Sequence, residues 1–174
     1  MVAVITVTIF FSCKNNIKEI QNIGVKSDQP LAIIEGGIGH YTDSGNLKSY
    51  IETSKMLDYS NREFAYLEFP EGMSMFIYDD DDNKSNIIAD YAIVYNKTNL
   101  IDLRGNVNYI THKKDTLKTE RLFYDQNLEW VYTNLPWQHF SPDGQRSQGN
   151  AFDSDKDFND PIVFGGAGLF NIEE

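Results

Sequence analysis

The residues able to do chemistry are sparse in this chain and poorly arranged for catalysis. His40, His112 and His139 are scattered, and no HExxH pair is present to hold zinc. Asp79-Asp80-Asp81-Asp82-Asn83 is the densest set of carboxylates. Calcium takes several oxygen ligands, but four adjacent acids between Tyr78 and Ile87 fit a solvated hairpin tip better. Asp153, Asp155 and Asp157 alternate as in an EF-hand loop, yet Phe158 stands where that loop needs glycine and Phe164 where it needs a bidentate Glu. Gly36-Gly37-Ile38-Gly39 and Gly165-Gly166-Ala167-Gly168 lack the Lys-Ser/Thr pair of a phosphate loop, so turns and bulges account for them. Carboxylate pairs for glycoside hydrolysis depend on the fold for their separation and are not legible at this level. The expectation is a chain with no catalytic residue, no metal and no cofactor, hence not an enzyme.

One thiol remains. Cys13 is the only cysteine of 174 residues, so no internal disulfide is open to it. Met1 to Phe11 carries no charged side chain and is rich in Val, Ile and Phe. The run is too short for a helix across a hydrocarbon core, which takes about 20 residues, and matches the apolar part of a secretory signal. No Lys or Arg precedes it. Apolar residues, then small Ser12, then Cys13 resemble the lipobox of bacterial lipoproteins, which implies acylation of the thiol and a new N-terminus there. Two acyl chains anchor stably, at about 0.8 kcal/mol per buried methylene. The alternative is a free thiol on a disordered tail.

Formal charge is −11 and pI about 4.6, and none of the side-chain charge lies before Cys13. Such a balance opposes binding to a phosphate backbone, where affinity comes from Lys and Arg, so nucleic acid is excluded as a partner. With 41% hydrophobic and 13% aromatic residues the chain can build a core, and its length fits one domain.

The chain divides into a signal peptide (1–12), a lipidated tether (13–30) with Ile17, Ile20 and Ile23 spaced by three, and a β domain (31–174). From Leu31 on, short runs of Ile, Val, Thr, Tyr and Phe are punctuated every 8 to 12 residues or so by Gly, Asn and Asp, as in a sandwich or barrel. Ile101, Leu103, Gly105, Val107 and Tyr109 alternate with Asp102, Arg104, Asn106 and Asn108, which puts the first set on one sheet face and the second in water. Gly105 is the expected place for a bulge. Ile87–Tyr95 pairs with this strand across Asn96-Lys97-Thr98-Asn99, and Thr116–Tyr124 with Leu128–Thr133 across Asp125-Gln126-Asn127. Pro136 and Pro142 confine their stretch to a loop or edge. Windows starting at Tyr50, Asn86, Thr116 and Asn150 share a loose pattern, a repeat of roughly 30 to 36 residues suggesting stacked hairpins.

The segments LIDLRGNVNYI (100–110) and TLKTERLFYD (116–125) resemble the OstA-type repeat of lipopolysaccharide export proteins, and GNAFDSDKDFNDPIVFGG (149–166) is similar to the ending of the LptC branch in its Bacteroidota-type lipoprotein form. The resemblance spans about Gly36 to Gly166. It implies an all-β fold, a single open β-jelly roll of two packed antiparallel sheets, OstA/LptA-like, greasy within. It further implies a periplasmic protein, anchored here to the inner membrane through Cys13 in place of a transmembrane helix. Lipopolysaccharide would come from the inner-membrane ABC transporter complex and pass to an LptA-like bridge protein, both joined by strand addition. Acyl chains would then meet an inner face formed by Tyr91, Ile93, Ile101, Leu103, Val107 and Tyr109 and, on the next hairpin, by Leu128, Trp130 and Tyr132. Ile162, Val163 and Phe164 form the expected C-terminal partner edge. The rival reading is a surface lipoprotein that binds or cleaves glycans, using exposed Trp130 and Trp137 with nearby acids.

Overall fold

The computed structural model describes residues 29–43 and 45–169. Cys13, the apolar run before it and the tether up to residue 28 lie outside the described residues. Every regular element described is a strand: β1 (Ala32–Asp43), β2 (Asn46–Asp58), β3 (Tyr66–Phe69), β4 (Met73–Tyr78), β5 (Lys84–Ala89), β6 (Tyr91–Tyr95), β7 (Leu100–Ile110), β8 (Thr116–Asp125), β9 (Trp130–Thr133), β10 (Trp137–Phe140), β11 (Arg146–Gly149), β12 (Ala151–Asp155), β13 (Ile162–Phe164) and β14 (Ala167–Leu169). All pairings are antiparallel. The fold is all-β, as the sequence pattern implies, and is consistent with the jelly roll that the resemblance implies.

Two kinds of rung build it. Long strands serve both sheets: Arg104 and the residues before it in β7 pair with β6, whereas Asn108 and its neighbours pair with β5. Short strands come in pairs joined by a tight corner, such as β5 and β6 around Asp90 or β11 and β12 around Asn150. Sheet I thus runs β1, β2, β3, β6, β7, β8, β9, β12, β13, and sheet II runs β1, β2, β4, β5, β7, β8, β10, β11, β14. Corners and crossings gather along one crease, and the hairpin tips of both sheets form the opposite mouth.

A strand that crosses the crease must bend, and an L-residue in left-handed backbone costs about 1–2 kcal/mol. Glycine avoids that cost. Gly36 (φ 66°), Gly105 (φ 74°) and Gly165 (φ 62°) stand at the crossings of β1, β7 and the broken β13–β14 rung. The bulge expected at Gly105 is present, since the β7–β8 register shifts between Arg104 and Val107.

Two expectations about the strands need correction. Ile87–Tyr95 is not one strand but β5 and β6, one in each sheet, because the chain turns at Asp90, whose amide donates to the Gly105 carbonyl at 3.0 Å. The repeat is also twice as long as its loose pattern suggested. Tyr50 and Thr116 begin equivalent windows in long β2 and β8, whereas Asn86 and Asn150 fall in the short-strand pairs that follow each. The repeating unit is therefore a long hairpin followed by four short strands, and not a hairpin alone.

Apolar residues at every second position fill the space between the sheets. Met75, Ile87, Ile101, Leu103, Tyr109, Leu122 and Val131 are fully buried there, joined by Phe69, Leu117, Trp137 and Phe152. At about 25 cal/mol per Å² of apolar surface removed from water, this packing is the main stabilising term.

Candidate functional site

The interior is closed at one end and open at the other. Toward the C-terminal end Phe158 fills the mouth, edge-on to Tyr109 (5.2 Å between centroids) and Phe152 (5.3 Å), with Trp137 behind Phe152 at 5.2 Å. The Tyr109 hydroxyl donates to the Lys156 carbonyl at 2.6 Å, and burial pushes its phenol pKa well up, so it stays a donor. Lys156–Glu129 (2.7 Å), His112–Asp157 (3.3 Å) and Lys113–Asn159 (2.6 Å) tie the β12–β13 loop across the gap. Toward β1 and β2 the sheets stand apart. A mainly apolar cavity of about 270 Å³ opens there between Ile51, Leu67, Phe69 and Val94. It shares Tyr41, Ser49 and Gln126 with a slot of about 300 Å³ at the mouth. Ser49 has a buried hydroxyl oxygen with no hydrogen-bond partner among the described residues. Among the described residues the interior is therefore neither a continuous conduit nor a sealed core, and its apolar cavity lies toward β1 and β2.

Of the residues expected on the inner face, Ile101, Leu103, Val107 and Tyr109 are there, fully buried in the core. Tyr91, Ile93, Trp130 and Tyr132 are not. In β6 the inward side chains are Ala92 and Val94, and in β9 they are Val131 and Thr133, so the aromatic positions beside them point outward. Leu128 is exposed in the β8–β9 turn. The opposite departure occurs at Asp102, expected in water yet only 1% exposed. Trp137, invoked for a glycan surface, is buried, and its indole N–H donates to the Ala151 carbonyl at 2.9 Å. Ile51, Leu67 and Phe69, which do line the cavity, were missed because the strand pattern of β2 and β3 is irregular, and Val94 because the expected inner face of its strand is the opposite one.

Outside sheet I, cross-strand register aligns Ile93, Asp102, Phe123, Tyr132 and Asp153 in one row, with Tyr91, Arg104 and Arg121 in the next. Arg121 donates to both Asp102 oxygens through Nε and Nη2, each at 2.8 Å, and Arg104 donates through Nε at 3.0 Å and again through Nη2. Burial would raise the Asp102 pKa, but the bonds from Arg121 and Arg104 outweigh it and hold the carboxyl below its ordinary value. Beside this cluster the Tyr91 hydroxyl donates to Glu68 at 2.8 Å, and burial with that carboxylate pushes its pKa up to about 12.

Among the described residues both ends of the stack are unpaired. β1 pairs there with β2 alone and exposes Ile33, Ile34 and Ile38, the last at 64%. At the other end Ile162, Val163 and Phe164 of β13 are exposed, and β13 pairs only with β12. The second edge coincides with the stretch singled out in the sequence. The first was missed, although Ile33, Ile34 and Ile38 beside a glycine cluster were its signal.

A stacked jelly roll with a one-ended apolar cavity and two bare terminal strands agrees with a comparison against family profiles: the one described as "Lipopolysaccharide-assembly, LptC-related" matches residues 1–157. The chain belongs to the LptC family. No curated protein matches it. Membership gives this LptC-family protein a role in lipopolysaccharide transport. The family is in general periplasmic and associated with the inner membrane, and it is a transport component, not a known enzyme family.

Proposed function

We propose that this LptC-family protein receives lipopolysaccharide from the inner-membrane ABC transporter at its β1–β2 end and hands it to an LptA-like bridge protein at its β13 end. The unequal interior carries this reading. Acyl chains entering beside Ile51, Leu67 and Val94 bury apolar surface in a space that already exists, whereas further passage requires Phe158 to leave the mouth. The cavity is small beside a lipid of several tails, so loading spreads the sheets at the open end. Acylated Cys13 holds the domain at the inner membrane in this reading. The bare β1 and β13 edges offer backbone hydrogen bonds to a neighbouring jelly roll on either side.

Two measurements test the proposal. A photo-crosslinking side chain at Ile51, Leu67 or Val94 is expected to give lipopolysaccharide adducts in cells, and one at Ile88, exposed outside sheet II, to give none. Equal labelling at Ile88 would refute an interior route. Separately, Val163→Lys with Phe164→Lys puts charge on the free edge and is expected to weaken capture of the bridge protein about tenfold or more while leaving the melting curve unchanged. Undiminished capture would remove β13 as the contact.

A further inference from the structure

We propose that the outer face of sheet I around Arg104 and Arg121 is a binding site for a phosphorylated sugar. The site lies outside the sandwich and does not depend on what the interior carries. Arg104 and Arg121 are directly opposite on β7 and β8, a placement of like charges that ordinarily destabilises a sheet. A single buried carboxylate, Asp102, holds both, so the pair keeps one surplus positive charge in a protein of net charge −11. Their side chains stay 42% and 37% exposed. Asp102 engages Nε and Nη2 of each, and Nη1 of each has no partner among the described residues.

Two guanidinium groups fixed this way present an anion with donors already in place, and planar forks match phosphate better than a mobile ammonium does. The surroundings supply the rest. Arg121 lies over the Phe123 ring at 4.5 Å and Arg104 over Tyr91 at 5.4 Å, so each cation is backed by an aromatic face. Phe123 stacks on Tyr132 at 5.0 Å and 17°, and Arg121 lies over Phe123, so the stack turns its ring edges outward beside the cations. A sugar ring can pack against these apolar edges while its phosphate reaches the guanidiniums.

The rim sets the size of the anion. Glu68 accepts from Tyr91, and Asp153 accepts from the Trp130 indole, so carboxylates bound the site on two sides. They repel an extended polyanion and leave room for one phosphate. Outside sheet II an aromatic stack also occurs, Tyr50 on Phe76 at 4.5 Å with Lys84 3.7 Å over Phe76, so what sets sheet I apart is the pair of guanidiniums on one buried carboxylate.

The test follows the arginine Nε–H and Trp130 indole N–H resonances of the full chain in a titration with glucose 6-phosphate, with glucose and inorganic phosphate run separately. Saturable shifts at millimolar sugar phosphate are expected, with either half of the molecule binding about tenfold more weakly. Tyr132→Ala, remote from the Asp102 bonds, is expected to weaken binding about tenfold with an unchanged melting temperature. Lipopolysaccharide identifies the source. Displacement of glucose 6-phosphate by it marks a lipid headgroup and the absence of displacement marks a free sugar phosphate, both supporting the site. Arginine shifts that do not saturate, or that match for sugar phosphate and phosphate in wild type and Tyr132→Ala alike, would overturn it, and crosslinks at Ile51 would be unaffected by that failure.

Discussion

Replacing Arg104 and Arg121 together with methionine is expected to destabilise the domain by about 3–5 kcal/mol, the cost of leaving a buried carboxylate without its partners. Asp102 is 1% exposed, and nothing else described donates to it. Either arginine alone costs far less, because the other still reaches both the carboxylate and solvent. Adding Asp102→Leu to the double variant removes the stranded charge and is expected to recover most of the loss. Urea midpoints of wild type, the two single variants, the double and the triple read this directly. A triple variant no more stable than the double would show that the carboxylate is not the source of the cost.

The same cluster makes stability depend on acid in a definite direction. The Asp102 pKa is lower folded than unfolded, so its contribution is complete above the unfolded carboxyl value of about 3.9 and disappears as pH falls through the still lower folded value. Wild type is therefore expected to lose its advantage over the triple variant only below about pH 4. An advantage that disappears nearer neutrality would assign it to another group.

Tyr109→Ala is the second large change, expected to cost about 3–5 kcal/mol as a buried aromatic truncated in a packed core. Tyr109→Phe keeps the ring and loses only the bond to the Lys156 carbonyl, so its cost is expected near 1 kcal/mol. Hydrogen exchange adds the functional part. In Tyr109→Ala the amides of Lys156 and Phe158, which bond to the Glu129 and Asp155 carbonyls, are expected to lose protection ahead of the β7–β8 ladder, because Phe158 rests on the missing ring. Uniform loss over the whole domain would mean that the closure cannot open on its own. Stepwise passage of a lipid beyond the N-terminal cavity would then need the entire sandwich to part.

Sequence by itself determined a good deal here. Strict alternation in Ile101–Tyr109, glycine at the crossing and Asn/Asp-rich turns after Tyr95 and Tyr124 are local requirements of backbone geometry, and each is where the residues put it. The exposed strand at Ile162–Phe164 was legible for the same reason: an apolar run next to a glycine pair near the last described residues has few neighbours to pair with. The faces of the short strands were not legible. A period of two separates two sets of side chains without saying which is inside, and in Tyr91–Tyr95 both sets are apolar. The corner at Asp90 resets the parity, and the packed space between the sheets takes Ala92 where it has no room for a tyrosine ring. Burial of Asp102 was equally out of reach, because a carboxylate leaves water only when two arginines, one of them on the next strand, are brought to it. Closure of the mouth by Phe158 was decided by tertiary structure too, since its partners Tyr109 and Phe152 lie in opposite sheets, and only folding places them around one ring.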